Sequence, residues 1–161
     1  MKIKPGDKLP KSTLYIIGKS GVEKINLEKI IENKKVIIFG LPGAFTSVCS
    51  AKHLPGFIKV YEEVKKRGID KIICIAVNDP FVMKFWGEAH GSKDKILMAG
   101  DPYREFTGAI GAEIDKTDRG LGIRSSRYTM LIENNILKII KEEKETSSCE
   151  ITSAESFLKN I

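Results

Sequence analysis

The chain has 161 residues, with 27 Lys and Arg against 21 Asp and Glu, a formal net charge of +6. Hydrophobic residues at 42% and charged residues at 30% describe an ordinary globule of single-domain size, which excludes disorder as the main state. No apolar run is long enough to span a bilayer, and an odd count of 3 cysteines excludes a purely structural disulfide framework. In chain order, residues 13–17 read as a strand and 26–32 as a short helix. Val36, Ile37, Ile38, Phe39, Gly40 and Leu41 form a continuous apolar run, the pattern of a strand buried on both faces. A loop over 42–45 follows. Leu54, Phe57, Ile58, Tyr61 and Val64 then recur at helical spacing, and Gly68 supplies the stop. Residues 72–77 repeat the buried-strand pattern, so the three elements make a βαβ unit with a right-handed crossover.

Asn78-Asp79-Pro80 places a capping side chain before a proline at the first helical position. Phe81, Val82, Phe85, Trp86 and Ala89 form the expected apolar face of that helix. Asp101-Pro102 repeats the start signal for a short helix ending near Gly108 or Gly111. Residues 128–132 and 136–140 read as a hairpin through Glu133-Asn134-Asn135, since Asn tolerates positive φ. Thr152-Ser153-Ala154-Glu155 has capping-box form and opens a last helix carrying Phe157, Leu158 and Ile161. Segments 113–126 and 141–150 read as loops. The sum is an α/β chain, one domain over 1–161, with a central mixed sheet flanked by helices on both faces. A βαβ unit followed by a hairpin and a terminal helix fits a thioredoxin-like core with additions.

The positive charge does not form a stripe. Lys34-Lys35, Lys65-Lys66-Arg67 and Lys138, Lys141, Lys144 are separated and interleaved with acids, so no nucleic-acid partner is expected. Residues 1–10 are polar and lack the apolar core of a secretory signal, so the expectation is a cytoplasmic protein with no membrane partner. In that reducing setting a notable cysteine is catalytic more often than structural. The 2 histidines, His53 and His90, provide too few ligands for a metal, and no cofactor is expected. Gly108, Gly111, Gly120 and Gly122 lack a phosphate-loop pattern and read as turns.

Cys49 follows a buried strand at the start of a long helix. With Thr46 as N-cap it falls in the first turn, where unpaired N–H groups and the helix dipole favour the thiolate, the reactive form. A small buried hydrophobe is the competing reading of the same position. No Cys-x-x-Cys is present, which disfavours dithiol exchange.

Three blocks carry a resemblance. Pro42-Gly43-Ala44-Phe45-Thr46-Ser47-Val48-Cys49 matches the Pro-x-x-x-Thr-x-x-Cys signature of peroxiredoxins, and residues 50–57 resemble its type II branch. Residues 77–86 and 122–130 are similar to two further blocks of that branch, the second being its arginine segment. The resemblance implies a thioredoxin-fold peroxidase that reduces hydrogen peroxide and organic hydroperoxides. Cys49 is then the nucleophile that becomes a sulfenic acid. Arg127 would stabilise the sulfur anion and the developing charge on the peroxide. Thr46 would hold the peroxide in line by a hydrogen bond, Pro42 would shield the thiolate from water, and Gly43 would allow close backbone approach to substrate. His53 shares a helix with Cys49, but the family does not use its histidine as a base, so a structural or interface role is expected.

The same resemblance leaves the closing of the cycle open. Cys149, in a polar loop before the last helix, and Cys74, in a strand, are candidate resolving residues. The third course is a one-cysteine cycle. The reductant is a glutaredoxin/glutathione or a thioredoxin system, and a homodimer is implied. Ser47 stands where many members carry a second proline, which loosens the loop slightly. Ser126 stands where many carry a bulky residue before the arginine, which alters the pocket wall or the dimer contact. A non-enzymatic redox sensor or chaperone using Cys49 is the alternative, with a basic binding module and a thiol-transfer enzyme behind it.

Overall fold

The computed structural model describes residues 1–161 and holds one seven-stranded mixed sheet with a small two-stranded one. β1 (Thr13–Gly18) and β2 (Gly21–Asn26) form an antiparallel hairpin. Asn26 then caps α1 (Leu27–Ile31), its Oδ1 accepting from Lys29 N at 3.4 Å. β3 (Lys35–Gly40) leads to a π-helical turn (Cys49–His53), then α2 (Leu54–Lys59) and α3 (Tyr61–Lys66). Gly68 ends that helical stretch at φ +76°. β4 (Lys71–Ala76), α4 (Pro80–Ala89), β5 (Leu97–Gly100) and α5 (Glu105–Ala109) follow. β6 (Glu113–Asp115) and β7 (Ile123–Ser125) make the small sheet, with a 3-10 turn (Thr117–Arg119) between them. β8 (Tyr128–Glu133), β9 (Ile136–Glu142) and α6 (Ala154–Leu158) complete the chain.

The main sheet runs β2-β1-β5-β4-β3-β8-β9. β3 is parallel to β4 and antiparallel to β8, so a βαβ pair is extended by the β8–β9 hairpin. This is the thioredoxin-like core that the strand pattern predicts. Alternation along β3 explains its unbroken apolar run. Ile37 and Phe39 enter one core cluster, with residues of α2, α3, α4 and α6, while Val36 and Ile38 enter the other, with residues of α1 and α5. Phe39 stacks on Phe57 of α2 at 4.5 Å between ring centroids, which locks the helix that follows the π turn of Cys49 to the sheet.

The structure corrects several expectations. The helix predicted as continuous to Lys66 opens into a π turn, with Leu54 N bonding Cys49 O, and breaks again at Val60. Pro55 supplies a reason: it has no N–H for the carbonyl four residues back, and its ring crowds that carbonyl. β2 escapes sequence reading because it is an edge strand, exposed along most of its length. β5, as Leu-Met-Ala-Gly, contains no β-branched residue. The segment 113–126, read as loop, holds β6, the 3-10 turn and β7. α5 begins at Glu105 rather than at Pro102. Asp101 still serves it from four residues away, Oδ2 accepting from Thr107 N at 2.8 Å and from Thr107 Oγ1 at 2.7 Å. α6 is capped by Ser153 rather than Thr152, Oγ accepting from Ser156 N at 3.3 Å. On α4 the buried face is Pro80, Met83, Trp86 and Gly87, whereas Phe81 and Phe85 are exposed.

Candidate active site

β3 delivers the chain to a loop that is pinned from the neighbouring strand. Asn78, just past β4, accepts from Ala44 N through Oδ1 at 2.9 Å. Its neighbour Asp79 caps α4, accepting from Val82 N at 3.0 Å. The two side chains of one start signal therefore do different work. Phe45 sits at φ 63°, a left-handed conformation costly for a bulky residue, and Thr46 follows it. Thr46 occupies the N-cap place, its carbonyl accepting from Ser50 N at 3.0 Å. Its hydroxyl does not cap. It donates to Gly43 O at 2.8 Å, which orients its lone pairs for a second donor.

Cys49 is 1% exposed, at the start of the π turn. Arg127, immediately before β8, is equally buried and points to it, Nη2 lying 3.4 Å from Cys49 Sγ. The same Nη2 donates to Thr146 O at 2.8 Å, and Nη1 meets His53 Nδ1 at 3.1 Å. A guanidinium can only donate, so Nδ1 accepts and the His53 proton sits on Nε2. Nε2 lies 3.2 Å from Thr152 O, which also receives the Thr129 hydroxyl at 2.8 Å. Burial first, and Arg127 second, bring the His53 pKa down to about 3. His53 is thus neutral, and its basic lone pair is occupied by Arg127. It positions the guanidinium and is no base, and being fully buried it is no interface residue.

Arg127 is also tied to the segment after β9. Glu143 N donates to Arg127 O at 2.9 Å. Glu143 Oε1 accepts from Glu150 N at 2.6 Å and from Thr152 N and Thr152 Oγ1 at 3.0 Å each. Partial burial opposes its ionisation, but these donors win and its pKa falls below the usual carboxylate value. The carboxylate closes a loop that carries Thr146 and Cys149. Cys149 is partly buried, and burial raises its thiol pKa while Arg127 pulls it the other way. Cys74 lies wholly inside the core, between Phe39 of β3 and Met98 of β5. Burial, reinforced by the neighbouring Cys49, pushes its pKa well up, so it remains a protonated core thiol.

A cavity of about 170 Å³ opens onto Arg127 and is lined by Pro42, Thr46, Val48, Thr146 and others. Pro42 thus stands in the wall where shielding is expected. Gly43 does not line the cavity. A Cβ there would meet Arg124 Nη1 at 2.7 Å, so the close approach this glycine permits is made by Arg124. Arg124 spans to the loop, Nη1 donating to Pro42 O at 3.4 Å and Nε to Leu121 O at 2.8 Å. Ser126 turns its hydroxyl to Glu142 Oε1 at 2.7 Å. A buried sulfur held against a fixed cation, with a hydroxyl acceptor in the cavity onto which that cation opens, suits attack on a small polar electrophile.

Comparison with known proteins agrees. Residues 4–158 match the Redoxin family model. The chain is 42% identical over 158 residues to Peroxiredoxin-2C of Arabidopsis thaliana, covering 97% of this chain and 96% of the relative. The chain belongs to the type II peroxiredoxins. Among solved structures, reduced Prx3 in complex with H2O2 from Vibrio vulnificus superposes with a TM-score of 0.93 at 40% identity, covering 98% of each chain. The Plasmodium falciparum antioxidant protein, a 1-Cys peroxiredoxin, gives 0.91 at 31% identity over 99% of this chain and 100% of that one. The fold is the thioredoxin fold and the activity that of a thiol peroxidase.

In this peroxiredoxin Pro42, Thr46 and Arg127 line one cavity and Arg127 also reaches Cys49 behind it, whereas Gly43, expected to approach substrate, lies outside that lining. Sequence reasoning missed the anchoring role of His53, the loop pin Asn78, the clasp Glu143 and the carbonyl of Thr146. Asn78 and His53 carried visible signals, a capping position and a shared helix. Neither signal names the partner, which lies 34 residues away for Asn78 and 74 for His53.

Proposed function

We propose that this peroxiredoxin reduces hydrogen peroxide and organic hydroperoxides through Cys49. The observation that carries the reading is the contact of Arg127 Nη2 with Cys49 Sγ at 3.4 Å. The guanidinium stabilises the thiolate and then the charge on the peroxide oxygens as the O–O bond lengthens. Thr46 accepts the hydrogen bond of the hydroperoxide through its free lone pair, which sets the terminal oxygen in line with sulfur. The S–O bond forms as the O–O bond breaks, and sulfur loses two electrons. The leaving water or alcohol oxygen takes up a proton, and Cys49 is left as a sulfenic acid.

Cys149 is the second thiol of the cycle in this reading. Its attack on the sulfenic acid forms an S–S bond and releases water, and an external thiol then restores both cysteines. What supports this is its place on the loop that also gives Thr146 O to Arg127. The external reductant is a glutaredoxin/glutathione or a thioredoxin system, in the cytoplasm. Exposed Phe45, Phe81 and Phe85 support a homodimer, because Asn78 ties the loop of Phe45 to the start of the helix bearing the other two rings.

Cys49→Ser should abolish peroxidase turnover while circular dichroism and Tm stay near the wild type. Retained turnover would sink the assignment. Assays with the two reductant systems side by side, on Cys149→Ser and Cys74→Ser, decide the resolving thiol. Loss of turnover in the first alone supports Cys149.

A further inference from the structure

Reaction with hydrogen peroxide needs one cation at sulfur, yet the mouth of the site carries several. Lys116 and Arg119 line the same cavity as Arg127, and Glu145 is the one acid among the lining residues. Lys116 pairs with no carboxylate. Arg119 reaches only Asp118 at 4.0 Å, with both side chains about three-quarters exposed, a contact worth little. Arg124, beside Pro42, likewise has no carboxylate partner.

The backbone that carries Lys116 and Arg119 is fixed. Lys116 N donates to Gly122 O at 2.9 Å, and Lys116 O accepts from Arg119 N at 3.0 Å and from Leu121 N at 3.2 Å, so the turn bearing both is closed on itself. The cavity is small, and only 2 of its 11 lining residues are hydrophobic. A long acyl chain finds no apolar wall there. A short organic peroxide with a negative group at its far end finds a field of the right sign, three cations against one acid along the same walls.

Resting on the peroxidase reading above, we propose that this site selects short hydroperoxides bearing a carboxylate over neutral ones of the same shape. Lys116 and Arg119 receive the carboxylate while Cys49 takes the terminal peroxide oxygen. The chemical step is unchanged: S–O forms, O–O breaks, and the alkoxide leaves as a hydroxy acid.

The test compares 4-hydroperoxy-4-methylpentanoate with its methyl ester, which differ in charge and hardly in shape at the peroxide. Wild-type kcat/KM should favour the carboxylate by about tenfold at low ionic strength, and the preference should shrink in high salt. Lys116→Glu with Arg119→Glu should reverse it. The neutral pair Lys116→Gln with Arg119→Gln should bring the ratio toward one. Equal kcat/KM for acid and ester in the wild type, or a preference that survives the double charge reversal, would overturn the proposal. Consumption of neither compound while hydrogen peroxide is still reduced would also overturn it, and failure on hydrogen peroxide as well would overturn the peroxidase reading and the selectivity with it.

Discussion

Acidification from about pH 7.5 to about pH 5 should cost this fold about 2 kcal/mol through His53 alone, because the buried imidazole titrates near 3 rather than at its ordinary 6.5. Above pH 6.5 both folded and unfolded chains hold it neutral, and its contribution is fully present. Below that value the unfolded chain takes up a proton that the native state refuses, so stability falls with pH until the folded value is reached. Each unit in that window is worth about 1.4 kcal/mol. Ending at about pH 5 keeps the figure well clear of the folded value, so it depends only on the native imidazole staying neutral. The physical cause is full burial beside the Arg127 cation. The assay is urea unfolding at three pH values for the wild type and for His53→Asn. The amide can still accept from Arg127 and donate towards Thr152, but it does not titrate. Carboxylates common to both proteins cancel in the difference. The stability gap between them should therefore close by about 2 kcal/mol on acidification. Because the amide keeps the bond from Arg127, the variant's kcat/KM should stay within about threefold of the wild type at neutral pH. Parallel stability curves for the two proteins would refute the reasoning.

Arg127→Gln should lower kcat/KM by about a hundredfold or more for any peroxide, measured in single-turnover oxidation of Cys49, and a loss under threefold would remove Arg127 from the chemistry. Gly40→Ala should destabilise by about 1–3 kcal/mol, because a Cβ there runs into the Tyr128 ring, and an unchanged Tm would contradict that packing. Glu143→Gln should cost about 1–3 kcal/mol and speed proteolysis within residues 144–151, since one carboxylate oxygen serves Glu150 N, Thr152 N and Thr152 Oγ1; an equally resistant loop would show that the clasp is not what holds it.

Much of the fold is legible in the chain because its causes are local. Buried strands of a mixed sheet must be apolar on both faces, so β3 and β4 announce themselves as unbroken runs. The β8–β9 turn needs two left-handed residues, and Asn134 and Asn135 adopt φ of 47° and 67°. Elements lacking such a local cause stayed hidden. β5 owes its existence to pairing with β4 and β1, and β2 to pairing with β1. The face of α4 shows the same limit. Its apolar residues cover more of the helix than the core can take, and only docking decided that Met83 and Trp86 go in while Phe81 and Phe85 stay out.

For the site, sequence alone placed Pro42, Thr46 and Cys49 together, because they lie on one short loop and the first turn after it. It also marked Arg127, through a block resembling a known arginine segment. Tertiary structure decided what each polar group meets: His53 on Arg127, Asn78 on Ala44, Arg124 over Gly43, Glu143 across the loop of Cys149. It also settled the state of two of the 3 cysteines in the opening count, burying Cys74 at 0% exposure and setting Cys49 against a cation. The difference is physical. Backbone preference and average burial are written in neighbouring residues, whereas the partner of a buried donor or acceptor is chosen when distant segments dock and every such group must be satisfied.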